Sequence, residues 1–233
     1  MSRGICKCFS QKSTKHNKIH PIHTEKQNTQ CESWQKLLNL IEFAAQNGVE
    51  EFAPLREFTL EERADIITLP PTIAKLKTVK KLSLYGSYLV RIPPEIGEME
   101  SLEEFVPYTS HLLHWFPYEI IRCRKLKSST VSTRSLYGNW KFRPPFPLFD
   151  SEKEDDYLEV TPHKCSVCSA NLDSSKVYRR WISLPTATDV LPLLVHACSV
   201  DCIDSLPQTP SGYILGSHIG GSHIKQPLPN NFK

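Results

Sequence analysis

Apolar residues between positions 32 and 67 fall at helical spacing. Trp34, Leu37, Leu38, Ile41 and Ala45 recur at i, i+3, i+4, i+7 and i+11, one face of a helix that starts near Glu32 and stops at Asn47-Gly48. Thr59 stands three residues before Glu62, the pairing of a capping box. It predicts a short helix running to about Ile67 and closed by Leu69-Pro70-Pro71. Beyond it the period lengthens. Leu69-Pro70, Ile92-Pro93 and Phe116-Pro117 are spaced by 23 and 24 residues. The same phase carries Ile73, Ile96 and Ile120, then Leu76, Met99 and Cys123, then Val79, Leu102 and Leu126. It continues with Leu82, Phe105 and Ser129, then Leu84, Pro107 and Val131, then Leu89, Leu112 and Leu136.

A period of about 20 to 29 residues with an L-x-x-L-x-L core is the leucine-rich-repeat signature. One such unit cannot bury its apolar side alone, so stacked units share a core of short parallel strands. Residues 66 to 139 resemble the leucine-rich-repeat family, especially its I-P-x-x-I-x-x-L-x-x-L forms. The stretches Leu84 to Gly97, His114 to Ile120, Leu136 to Asn139 and Arg143 to Pro147 also look like bacterial proteins that pair such repeats with a C-terminal cysteine module. The expected fold class is α/β: a short leucine-rich-repeat solenoid with an N-terminal helical cap, plus a small α+β zinc module. The family's usual Asn is replaced here by Ser87, Ser110 and Arg134. Pro107 lacks a ladder donor and Ser129 takes an apolar position, so the second and third coils are expected to be irregular.

Charge divides the chain further. In residues 1–31, Arg3, Lys7, Lys12, Lys15, Lys18 and Lys26 face only Glu25, and apolar periodicity is absent, which predicts a disordered basic tail. Its Cys6, Cys8 and Cys31, with the histidines at 16, 20 and 23, offer only adventitious soft-metal ligands. Residues 32–149 then hold the helical cap, the repeats and a Pro/aromatic stretch, Trp140 to Phe149, expected to cover the open end of the solenoid; a polyproline ligand is the rival. Residues 150–162, acidic but for Lys153 and the uncharged positions, read as a linker. A zinc-binding module at 163–225 and a tail at 226–233 complete the division. Gly216-Ser-His-Ile and Gly221-Ser-His-Ile, within that module, match no zinc or phosphate signature and predict flexible chain at His218 and His223. The net charge of +3 carries no strong nucleic-acid or membrane footprint. No run approaches the ~18 apolar residues of a membrane span, and the start lacks the apolar region of a secretory signal. A cytoplasmic protein with reduced thiols is expected.

Cys165-Ser-Val-Cys168 and Cys198-Ser-Val-Asp-Cys202 form C-x2-C and C-x3-C, separated by 29 residues. Two close pairs at that separation suit tetrahedral Zn(II), and four thiolates leave no open position for water, so the site reads as structural. Val177 to Leu184 and Leu191 to Val195 are strand-forming runs around the turn-prone 185–189. Ser199 is placed to cap a helix that carries Cys202. Knuckle, hairpin and helix together resemble the treble-clef class of zinc fingers. Two disulfides, unrelated core thiols and a redox C-x-x-C are the alternatives. His163 and His196 are substitute ligands or neighbours of the site.

No catalytic motif accompanies these modules. His111-Leu-Leu-His114 matches no metal signature, and Cys123 stands at a buried repeat position. The repeat resemblance places Lys81, Ser83, Tyr85, Glu104, Val106, Tyr108, Ser128, Thr130 and Ser132 on the concave face, a surface for another protein or peptide. The expected function is therefore a non-enzymatic interaction or scaffold protein. The alternative is nucleic-acid binding through Lys176, Arg179, Arg180 and Trp181, where cations interleave with aromatics; a third is an unidentified enzyme.

Overall fold

The computed structural model describes residues 22–23, 25–149, 162–173 and 175–227. The remainder, including Cys6, Cys8, His16, His20 and the acidic stretch 150–161, lies outside the described residues. Mixed α and β content is arranged around two sheets and a cysteine cluster.

Helix α1, Glu32–Gln46, buries Trp34, Leu37, Ile41 and Ala44. The stripe ends on Ala44 rather than Ala45, which is half-buried. Asn47 and Gly48 terminate it, Gly48 with φ of +61°. Helix α2, Leu60–Asp65, carries the expected capping box: Thr59 accepts from the Glu62 N–H while Glu62 accepts from the Thr59 N–H. Lys36–Glu62 and Ser33–Asp65 contacts tie the two helices together.

Strands β1 (Glu51–Phe52), β2 (Lys81–Ser83), β3 (Glu104–Val106) and β5 (Ser128–Ser129) form one parallel sheet in the order β1-β2-β3-β5. The register follows the long sequence period: Lys81 pairs Glu104 and Glu104 pairs Ser128, while Leu82 pairs Phe105 and Phe105 pairs Ser129. Behind the strands lie three 3-10 turns, Pro71–Lys75, Pro94–Glu98 and Tyr118–Arg122. Each follows an extended proline, Pro70, Pro93 or Pro117. Proline's fixed φ suits that entry, and a second proline at the first turn position wastes no hydrogen bond. Ile73, Leu76, Leu82, Ile96, Met99, Leu102, Phe105 and Ile120 fill the space between turns and strands, fully buried.

The irregularities have local causes. Strand β3 stops at Val106, just before Pro107. Leu112 is half-buried and Leu113 takes the core position instead. Ser87 and Ser110 share a 2.6 Å hydroxyl contact, and Ser110 also donates to the Leu84 carbonyl. In the next segment the corresponding hydroxyl is that of Ser135, bonded to the Ser132 carbonyl, one residue beyond Arg134. Gly97 admits the neighbouring turn: a Cβ there would lie 2.5 Å from the Glu119 carbonyl oxygen. Gly97→Ala is therefore expected to lose about 1–3 kcal/mol of stability through overpacking, measured by denaturant unfolding.

The second sheet, β4-β7-β6, draws on both halves of the chain. Strands β6 (Tyr178–Thr186) and β7 (Asp189–Ala197) form an antiparallel hairpin whose turn needs only Ala187 and Thr188, with Ala187 at φ of +54°. Strand β4, Phe116–Pro117, pairs parallel with β7 at Leu193 and Leu194. Both hairpin faces are covered. Ile182, Leu184, Leu191, Leu193 and Val195 join the core of the parallel sheet, whereas Trp181 and Leu194 join Trp115, Tyr137 and Phe146 in a second cluster. Burial on both faces accounts for the nearly unbroken apolar run of β7. Ser129, polar at an apolar position, receives the hairpin turn: its hydroxyl donates to Asp189 at 2.7 Å, and Thr188 donates to its carbonyl.

Two stretches expected as free chain are packed instead. Gln27 donates to the Asp65 carbonyl and accepts from the Ile67 N–H, satisfying backbone left open where α2 ends; Arg91 donates to the Glu25 carbonyl. The Gly/His segment is likewise held. His218 and Trp181 exchange backbone hydrogen bonds at 2.7 and 2.9 Å, extending the β6 edge. Gly220, at φ of +81°, passes so close to Pro147 that a Cβ would sit 1.9 Å from its carbonyl oxygen. Among the described residues, no helix is long and apolar enough to cross a membrane.

Candidate metal centre and partner face

Cys165 and Cys168 sit in a tight knuckle. Ser169 donates back to the Cys165 carbonyl and takes φ of +64°, while Cys165 donates to the Ala170 carbonyl at 2.7 Å. Cys198 follows directly on β7. Cys202 lies in helix α3, Val200–Asp204, where its N–H donates to the Ser199 hydroxyl, the cap that the sequence predicts.

The four sulfurs converge. All lie within 4.8 Å of one another, with Cys168–Cys198 at 3.5 Å and Cys198–Cys202 at 3.7 Å. Tetrahedral bonds of about 2.3 Å would set sulfurs about 3.8 Å apart, so the cluster fits a four-thiolate metal. Every described cysteine is a free thiol. Cys165 is buried and Cys168 exposed, so one side of the cluster meets solvent.

The thiols are not equivalent. Burial raises Cys165, but the N–H groups of Cys168, Val167 and Cys198 outweigh it and bring the group down to about 7. Cys198 is pushed up to about 12 by sharing hydrogens with Cys168 and Cys202. A divalent ion held at the centre would replace those shared hydrogens by its own charge, and its coordination would require all four sulfurs as thiolates. His163 and His196 are outside the converging set. His196 is buried, and that burial, reinforced by Arg179, holds its imidazole down at about 3.

Polar residues that sequence patterns treat as ordinary connect this knuckle to the parallel sheet. Ser166 donates from its N–H to the His196 carbonyl and accepts the His196 N–H on its hydroxyl. Arg122 donates to the Ser166 carbonyl at 2.7 Å. Glu119 is raised by burial and partly restored by a hydrogen bond with Ser166. Glu119 and Glu95 occupy equivalent places in the proline-led segments, yet only Glu119 is buried, because β7 and the knuckle pack over the last segment.

The expected partner face divides. Tyr85 and Tyr108 are 56% and 46% exposed with ring centroids 6.1 Å apart, and Lys81 pairs with Glu104 at 3.1 Å. Thr130 is exposed, and Val106, Ser128 and Ser132 are half-buried. Ser83 is buried, its short side chain lying in the strand between the longer Lys81 and Tyr85.

The proposed nucleic-acid patch does not assemble. Lys176 is exposed and Arg180 half-buried, but Arg179 is 6% exposed and Trp181 fully buried. Trp181 packs against Tyr137, Phe146 and Phe149 and donates its indole N–H to the Pro147 carbonyl, so it presents no face for a base. His111 and His114 do not converge either: His111 is exposed, whereas His114 is buried at 1% against the Ser135 carbonyl. His218 is buried edge-on to Phe146, away from the cysteines. Cys123 is buried, its thiol on the Ile96 carbonyl, and burial pushes it up to about 12, the setting of an inert core thiol.

No protein-family model matches the sequence, and no curated protein matches it. What stands is a mixed α/β protein with a four-cysteine cluster of metal-ligand geometry.

Proposed function

We propose that the chain is a non-enzymatic, cytoplasmic interaction protein: a short leucine-rich-repeat solenoid, capped by α1, whose zinc centre is structural. The in-phase ladder of Lys81–Glu104 and Tyr85–Tyr108 carries this reading. Two successive segments set tyrosine against tyrosine and lysine against glutamate at matched positions, which is how adjoining repeats build a recognition surface. Paired tyrosines supply contact area at low entropic cost, and the adjacent ion pair supplies orientation, so the partner is a protein or peptide with mixed polarity.

Four thiolates with no open position support a scaffolding metal, and zinc is the borderline-soft, redox-inert ion that suits them. The cluster offers no place for a reacting water, and the other candidate groups, Cys123 and His114, are buried away from it. Nucleic-acid binding loses its stacking residue with Trp181.

A double variant, Tyr85→Ala with Tyr108→Ala, tests the face. Both side chains are exposed, so folding is expected to stay within about 0.5 kcal/mol of the parent. A partner captured from the native cell by the parent protein should lose at least tenfold in affinity. Full retention of that partner by the double variant overturns the assignment.

A further inference from the structure

The four sulfurs of the candidate metal centre share their chemistry but not their surroundings. Cys165 is buried, Cys198 and Cys202 are half-buried, and Cys168 is exposed. The chain from Cys168 to Asn171 is exposed throughout, so the cluster opens to solvent on the side of Cys168. Its sulfur lies 3.5 Å from that of Cys198, closer than the 3.7 Å between Cys198 and Cys202. A small oxidant arriving from solvent therefore meets Cys168 first, with the Cys198 sulfur within reach of it.

The segments that carry these sulfurs are anchored to different depths. The hairpin has anchors besides the metal: β7 pairs with β4 and β6, and Leu193 and Val195 lie in the main core. The knuckle is tied to it through Ser166, whose N–H donates to the His196 carbonyl and whose hydroxyl accepts the His196 N–H. Helix α3 is held more lightly. None of its residues is buried, Val200 is 52% exposed, and only the half-buried Ile203 leans on the core beside Cys202.

We propose that Cys168 is a site of reversible oxidation by hydroperoxides, and that its disulfide with Cys198 expels the metal and releases α3. The inference rests on the zinc reading given above. With hydrogen peroxide, the Cys168 thiolate attacks one oxygen, the O–O bond breaks, and hydroxide leaves, giving a sulfenic acid. The Cys198 thiolate attacks that sulfur, the S–O bond breaks, and a second hydroxide leaves. The two sulfurs give up one electron pair between them, and both peroxide oxygens are reduced. Zinc keeps its charge but retains only Cys165 and Cys202, half of a closed tetrahedral set, and departs. The new bond takes over the metal's link between the knuckle and the end of β7, so the hairpin stays folded. Cys202 gains no such link, and α3 is the element set free.

The test measures zinc content first and then treats the zinc-loaded full chain with hydrogen peroxide. A chromogenic chelator should register about one zinc ion released per disulfide formed. In a parallel sample dimedone, which captures sulfenic acids, should label Cys168 ahead of the other three cysteines of the cluster. Alkylation before and after reduction, read by fragment-ion mass spectrometry, should find Cys168 and Cys198 linked, with Cys165, Cys202 and the buried Cys123 still thiols. Amide exchange should rise across residues 200–206 and stay low across 178–197. A thiol reductant supplied with zinc should reverse these changes. Zinc retained under excess peroxide, first labelling elsewhere in the cluster, a different pairing, or equal loss of protection in the hairpin overturns the proposal. A chain that holds no zinc at the outset overturns the zinc reading alone. Dimedone labelling and the disulfide map need no metal and still decide for or against Cys168 and Cys198.

Discussion

Replacing Cys168 and Cys198 together by serine is expected to abolish zinc binding and to unfold the protein as a whole. Structural zinc in small modules supplies on the order of 10 kcal/mol at neutral pH. That figure is comparable to the entire stability of an ordinary domain, about 5–15 kcal/mol. The effect spreads because the hairpin between the cysteine pairs is not a separate body: Leu193 and Val195 share a core with Phe105 and Ile120, and β7 is paired with β4. Metal analysis should give about one zinc per parent chain and none for the variant. Cobalt substitution should give thiolate charge-transfer bands only in the parent. Thermal unfolding of the parent should be a single transition that chelator shifts downward. An unshifted transition in the variant would sink both the zinc assignment and the coupling. Acid should act in the same direction as chelator, because ligation requires deprotonated sulfurs and protons compete for them.

Trp181→Ala should lose about 3–5 kcal/mol, the range for removing a fully buried large aromatic. Its ring contacts Trp115, Tyr137, Phe146 and Phe149, and its N–H is satisfied by Pro147, so truncation leaves both a cavity and an unpaired carbonyl. Trp181→Phe should recover part of the loss by refilling the cavity without the donor. Urea unfolding of the three proteins measures this. The nucleic-acid alternative predicts the reverse pattern, with unchanged stability and weaker, salt-sensitive binding to single-stranded RNA.

Residues whose roles depend on near neighbours in sequence were readable in advance. The stripe of α1, the Thr59–Glu62 capping box, the β6–β7 hairpin and the Ser199 cap all rest on spacing within a few residues. The cysteine pairs were readable because a tetrahedral site asks only for two short spacings and a returning chain. Long-range pairing outside the repeat period was not. Glu119 and Glu95 look alike in sequence, and only the approach of β7 separates them. Ser129 stood out as a misfit whose partner, the turn at Thr188–Asp189, is remote. Gln27 and His218 sit in polar stretches without periodicity, yet Gln27 is held by its side-chain amide on the backbone of Asp65 and Ile67, and His218 by backbone bonds to Trp181, which composition does not register. Trp181 illustrates the opposite hazard: flanking cations suggested a surface, while its contacts come from Trp115, residues 137–149 and His218.

The parallel pairing of Phe116–Pro117 with Leu193–Leu194 also sets a schedule for synthesis. Trp115 and Phe116 leave the ribosome well before the strand that covers them has been made. At about 5–20 residues per second, β7 arrives roughly 4–15 s later. During that interval the growing chain displays two large aromatic side chains and an unpaired strand edge. A chaperone that binds exposed apolar segments has its natural opening there, and it closes once β7 emerges and pairs with β4.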